Sequence, residues 1–151
     1  MKTDWIALRL LGQWSIELGL GSVLLRLALS LAFSAIIGCE RSSKRHSAGL
    51  RTFILVSLAG TGTMLIDEYL MQQFGVPVPL LSAAAVIGTA TISSNSILYS
   101  SKSQIKGLTT SVGLWCCGVL GMSVGAGFYT LSLMLFFSML ACMSGLPVLE
   151  K

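Results

Sequence analysis

Charge is what this chain has least of. Only 11% of its 151 residues are Asp, Glu, Lys or Arg, against about a quarter in a soluble domain, and its mean hydropathy is +0.82. A water-soluble globular protein is thereby excluded. Histidine occurs once, at His46 in a basic stretch, so no Ser/His/Asp or Cys/His catalytic set can be assembled. No glycine-rich phosphate cradle follows a strand. The four cysteines, Cys39, Cys116, Cys117 and Cys142, fall in or at the ends of apolar runs without metal-ligand spacing and read as small buried apolar residues. These scarcities predict a protein that is not an enzyme, with no metal site, no cofactor and no nucleic-acid partner.

What is present is apolar sequence in runs. A bilayer core about 30 Å thick takes ~20 apolar residues per helix, and five candidate runs cover most of the chain: 21–38, 50–66, 80–100, 108–125 and 129–146. The charged stretch "GCERSSKRHSAGLRT" separates the first two, and Asp67 and Glu68 close the second. The prolines of "GVPVP" interrupt any helix before the third, and a turn of about "GAGF" makes the last two a hairpin. Fold class is therefore all-α: one polytopic membrane domain of about five transmembrane helices, with the lipid bilayer as its principal surroundings. No internal repeat or linker is visible.

The N-terminal "MKTDWIALRLLGQWSIELG" mixes Trp5, Trp14 and aliphatic residues with Asp4, Arg9 and Glu17. Residues 1–20 are thus expected to form an amphipathic helix at the headgroup level; continuation into the first span as one tilted helix is the alternative. Arg9 and Glu17 speak against a cleaved signal peptide.

Positive charges lie in two loops. Arg41, Lys44, Arg45 and Arg51 surround the first, and Lys102 and Lys106 occupy the third, whereas the opposing two hold none. By the positive-inside rule the N-terminus is outside and the C-terminus cytoplasmic. Glu40 sits near the C-terminal end of the first helix, where the helix dipole disfavours an anion. A cation, Arg51 or Arg41, is expected to hold it, clamping the first helix to the second. The same residues, with Lys106, form a charge cluster at the inner face.

Other residues stand out within the membrane. Arg26, about a turn into the first helix, is expected to snorkel to the outer headgroups, with ligand binding as the alternative. Ser94 and Asn95 belong to a polar half of the third helix that either lines a groove or hydrogen-bonds back to its own helix. No carboxylate lies mid-span, which argues against a conduit for magnesium, an ion usually held by one or two carboxylates. Gly113, Cys117, Gly121 and Gly125 recur every four residues and form a small-residue ridge, as do Ser30, Ser34 and Gly38; such ridges pack helices within one chain or between chains.

Two stretches carry a family resemblance. "IIGCERSSKRHSAGLRTFILVSLAG" resembles the "IGLERE…PAGLRT…LVxLGA" stretch of the bacterial MgtC/SapB family of inner-membrane proteins, and "IKGLTTSVGLW" is similar to that family's "xRGLTTAAxLW". The likeness covers about residues 22 to 127. Gly38, Glu40, Arg41, Ala48, Gly49, Leu50, Arg51 and Thr52 match the first motif; Gly107, Leu108, Thr109, Thr110, Leu114 and Trp115 match the second. "GVPVPLL" and "AVIGTATISS" depart from the family's "DPxR"-like and "GIGFLGAG"-like stretches, and no soluble C-terminal domain is expected before Lys151.

The resemblance implies a bacterial inner-membrane protein linked, as family members are, to growth in low magnesium and to virulence. The expected role is a non-enzymatic regulator or accessory factor in magnesium homeostasis that acts by contact. Its partner would be a second copy in a homodimer or a larger membrane complex, ATP synthase or an ion transporter among the candidates. Transport of an ion or small solute through a groove by the third helix is the alternative, and a structural assembly role comes third.

Overall fold

The computed structural model describes residues 19–43, 48–75, 79–99 and 105–145. Five α-helices run in chain order: α1 (Leu20–Ser43), α2 (Leu50–Phe74), α3 (Leu80–Ser94), α4 (Leu108–Gly125) and α5 (Tyr129–Leu140). A π-helical turn, Ala141–Gly145, continues α5. Between α3 and α4 a two-residue antiparallel pairing joins β1 (Leu98–Tyr99) to β2 (Ile105–Lys106). The expected N-terminal amphipathic helix, and the loop residues Lys44, Arg45, His46 and Lys102, lie outside the described residues.

By length and apolarity α1, α2 and α4 are each able to cross a membrane, while α3 and α5 are shorter apolar helices. At 1.5 Å per residue the 15 residues of α3 rise about 22 Å. The third run, taken from sequence as 80–100, is cut short because Asn95 and Ser96 turn and the chain enters the strand pair. Two other boundaries shift outward. Helix α1 passes through Gly38 to Ser43; that glycine does not stop the helix but lets α2 approach, since a Cβ there would lie 2.8 Å from Leu50 Cα. Helix α2 runs past Asp67 and Glu68 to Phe74, where Gly75 ends it in the left-handed conformation (φ 63°) and its N–H donates to the Met71 carbonyl. Both carboxylates are therefore inside a helix, not beyond it.

Helix α2 is the centre of the bundle, with α1 antiparallel on one side and α4 parallel on another. Phe53, Ser57 and Thr61, spaced by four, meet Cys117, Gly121 and Gly125, also spaced by four. Matched spacings keep two helices in register along a shared ridge. Apolar packing concentrates near the basic-loop end, where Ile37, Phe53, Leu114, Leu120, Phe136 and Met139 form the core and Phe33 stacks on Phe136.

Candidate functional site

At the end of the bundle away from the basic loops, a charged group sits among helices. Arg26 is 1% exposed and does not snorkel. Its Nη1 lies 2.5 Å from Glu68 Oε2 and donates to the Gly125 carbonyl at 2.7 Å. Gly127, in the left-handed turn before α5, lies against the same guanidinium. The outward expectation fails because α2 runs on past residue 68 and brings an anion to the depth of Arg26, while the C-terminal end of α4 offers a carbonyl where the helix dipole favours a cation. One side chain thus ties α1, α2 and α4 together. Among the described residues this is the one ion pair.

Asp67 does different work. Helix α3 follows Pro79, which supplies no side-chain cap, so its first N–H groups need acceptors from elsewhere. Asp67 provides them: its carboxylate accepts from the N–H of Leu81 (3.0 Å), the N–H of Ser82 (2.5 Å) and the Ser82 hydroxyl (2.6 Å). An anion at a helix N-terminus is also favoured by the dipole. Asp67 is 3% exposed and acts as a cap donated by one helix to the next.

Between these groups and the core runs a buried hydroxyl seam. Ser30 Oγ and Ser57 Oγ lie 2.8 Å apart, and Thr61 Oγ1 lies 2.8 Å from Ser30 Oγ and 2.9 Å from the Gly121 carbonyl oxygen. Ser34 donates to the Ser30 carbonyl. Ser30, Ser34, Ser57 and Thr61 are all fully buried. The small-residue ridge of α4 closes on this seam: a Cβ on Gly121 would run into the Ser57 carbonyl, and one on Gly125 would lie 2.8 Å from the Thr61 carbonyl oxygen. Cys117 Sγ lies 3.6 Å from the Phe53 carbonyl, and Gly113 accommodates Met143. The ridge is spent inside the chain, so it is not available for docking a partner.

The inner-face cluster divides. Arg41 is buried, with Glu40 as its electrostatic neighbour. Arg51 is exposed, and no Glu40–Arg51 ion pair is found among the described residues, so the clamp expected between them is not the contact that joins α1 to α2. Arg51 points away because Gly38 brings Leu50, not residue 51, against α1. The side chain of Lys106 lies outside the described residues.

On α3 the hydroxyls turn inward on their own helix. Thr91 donates to the Ile87 carbonyl, Ser93 to that of Thr89 and Ser94 to that of Thr91; Ser94 and Asn95 are exposed. A shallow groove of about 260 Å³ lies beside Ser93, lined also by Ala90, Ser111, Val112 and Trp115. Among the described residues no three His, Cys, Asp or Glu side chains converge.

Sequence reading missed Glu68 as the partner of Arg26 and Asp67 as a cap, although one signal was available. In "TMLIDEYLMQQF" apolar residues flank the carboxylates on both sides, so the helix could have been extended, and a buried Arg needs an anion.

The MgtC family model matches residues 27–151. YhiD of Escherichia coli (strain K12), named "Putative magnesium transporter YhiD", is 29% identical over 116 residues, 73% of this chain and 54% of that protein. SapB of Bacillus subtilis (strain 168) is 29% identical over 71% of this chain and 49% of its own length. MgtC of Brucella abortus (strain 2308) is 31% identical over 67% of this chain and 41% of its own. The chain spans about half the length of these curated relatives, and no solved structure matches it. The helical architecture with its long apolar spans and the match over most of the sequence agree: the chain belongs to the MgtC family of membrane proteins.

Proposed function

We propose that the protein is a non-enzymatic accessory factor in magnesium homeostasis in a bacterial inner membrane, acting by contact with another membrane complex and not by passing the ion itself. The link to magnesium rests on the family and on the name of the E. coli relative. The preference for contact rests on one observation: Asp67 and Glu68 are both engaged, the first with the N-terminus of α3 and the second with Arg26. Magnesium dehydrates reluctantly and needs carboxylates free to hold it. With the α4 ridge buried, the contacting surface is the lipid-facing side of the bundle, where α3 and α5 expose Ile87, Ile92, Met134 and Phe137. The proposal places the basic loops in the cytoplasm.

The second reading, transport beside α3, is favoured by the groove at Ser93 and by the relative's name. Purified protein in liposomes containing a magnesium-sensitive dye separates the two, when paired with growth of a deletion strain in low magnesium. The contact reading expects rescue of growth by the full chain and no flux above empty liposomes. Flux that falls in a Ser93→Ala variant would establish transport instead.

A further inference from the structure

The face of α4 that turns away from α2 borders a half-open cavity of about 380 Å³ that it shares with α5 and the π-helical turn. Its wall is almost wholly apolar, and four of its residues carry sulfur: Cys116, Met139, Cys142 and Met143. Met139, Cys142 and Met143 stand at i, i+3 and i+4, which places them on one side of a helix, and Cys142 and Met143 lie within the π-turn, a feature frequent at functional sites. Cys116 faces them from α4. Gly113 leaves room for Met143, whose terminal methyl would overlap a Cβ at that position. Met139 and Met143 are buried, Cys116 is half-buried and Cys142 is exposed at the rim. Both cysteines are free thiols, and both line this cavity.

Thioethers and thiolates in an apolar wall discriminate strongly among metal ions. Hard cations such as magnesium require oxygen ligands, and this cavity offers almost none. Soft ions prefer Cys and Met, with copper(I) the usual choice among biological metals. We propose that Cys116, Cys142, Met139 and Met143 form a binding site for a soft monovalent cation of the copper(I) class. The ion enters past Cys142, one thiol loses its proton to solvent, and a metal–sulfur bond forms in its place. The positive ion and the single thiolate make a neutral unit, which an apolar wall tolerates where it would reject an isolated charge. No electron is transferred in this step. The site is independent of the magnesium-related reading above.

The test uses the full chain in detergent under reducing conditions, with copper(I) competed against a chromophoric chelator. One ion per chain is expected, with the ultraviolet charge-transfer absorption of a metal–thiolate bond. Cys116→Ser and Cys142→Ser should each weaken binding at least about tenfold, the lower limit of what even an outer-shell change costs a metal site. Met139→Leu combined with Met143→Leu should weaken it less. Cys39→Ser, on α1 and not part of the cavity lining, should change nothing, nor should excess magnesium. Silver(I), which has no redox chemistry here, should raise the thermal unfolding midpoint of the parent protein but not that of the Cys116→Ser/Cys142→Ser variant. Unchanged copper(I) affinity in that double variant, provided it still unfolds cooperatively, overturns the site. An equal loss in Cys39→Ser overturns it too, since binding would then follow thiol count and not the cavity.

Discussion

On the side of α4 that meets α2, Gly121 and Gly125 bring backbone against backbone over a seam of buried hydroxyls, whereas the side that meets α5 borders a half-open cavity of about 380 Å³ walled mostly by apolar and sulfur-bearing side chains. In lipid, apolar burial drives helices together little, because the surrounding tails are as apolar as leucine; close approach and hydrogen bonding do so instead. The α1–α2–α4 side has both, together with an ion pair. The α5 side has neither in comparable measure, although Ser123 and Ser132 hydroxyls do meet at 2.9 Å near its start. One helix thus borders a part of the bundle that is fixed in register and a part that has room to adjust.

The comparison breaks most visibly at Gly121. Gly121→Leu drives a side chain into the Ser57 backbone, where no rotamer offers escape, and overpacking of this kind costs upwards of about 3 kcal/mol. The expected result is loss of monodisperse protein after detergent extraction; a normal yield and unfolding midpoint would mean that the helices are not in contact there. The ion pair comes next. Glu68→Gln removes the carboxylate that pairs with buried Arg26, at a cost of about 3 kcal/mol, the lower end of the range for broken buried pairs because the Glu68 side chain keeps 24% of its surface exposed. Arg26→Gln should lose a similar amount, and the double change clearly less than the sum, measured by thermal unfolding. Strict additivity would show that the two do not interact.

Smaller effects sharpen the contrast. Val119→Leu adds a methylene on the cavity side of α4 and should stay within about 1 kcal/mol of the parent, even though Val119 lies only two residues from Gly121. A large destabilisation there would show that the α5 side is as tightly packed as the other. Arg51→Gln, at an exposed position, should move the unfolding midpoint by no more than about 0.5 kcal/mol allows. A loss as large as that of Glu68→Gln would restore the Glu40–Arg51 clamp.

Much of the architecture was legible because its signals are local. Apolar runs give helices by composition alone, the α4 boundaries Leu108 and Gly125 follow from the flanking glycines, and the four-residue recurrence of Gly113, Cys117, Gly121 and Gly125 marks a close-packed ridge without revealing its partner. The partner needed the parallel register of α2 and α4, a tertiary quantity that no local pattern contains. Arg26 and Glu68 were misread for a related reason. Each was judged against the bilayer as if its helix stood alone, which makes an Arg a snorkelling residue and a carboxylate a helix end, yet both are stable in mid-helix once they face each other. The Ser94 and Asn95 region went the other way: "TATISSNS" allows back-bonding hydroxyls, and the hydrogen bonds of Thr91, Ser93 and Ser94 take that form.

The Arg26–Glu68 pair also bears on how the protein enters the membrane in the first place. Glu68 follows Arg26 by 42 residues, so the first helix is synthesised well before this carboxylate exists. Until then Arg26 lacks the Glu68 carboxylate, and insertion scales penalise an Arg by up to ~3 kcal/mol near the helix centre. Once α2 emerges, the two helices can leave the translocation machinery as a hairpin that transfers no net charge into lipid. The unit of insertion is then the pair of helices and not the single span. Nascent chains truncated just before Glu68 should accordingly integrate α1 less efficiently than chains truncated just after Phe74, and equal integration of the two would show that α1 enters alone.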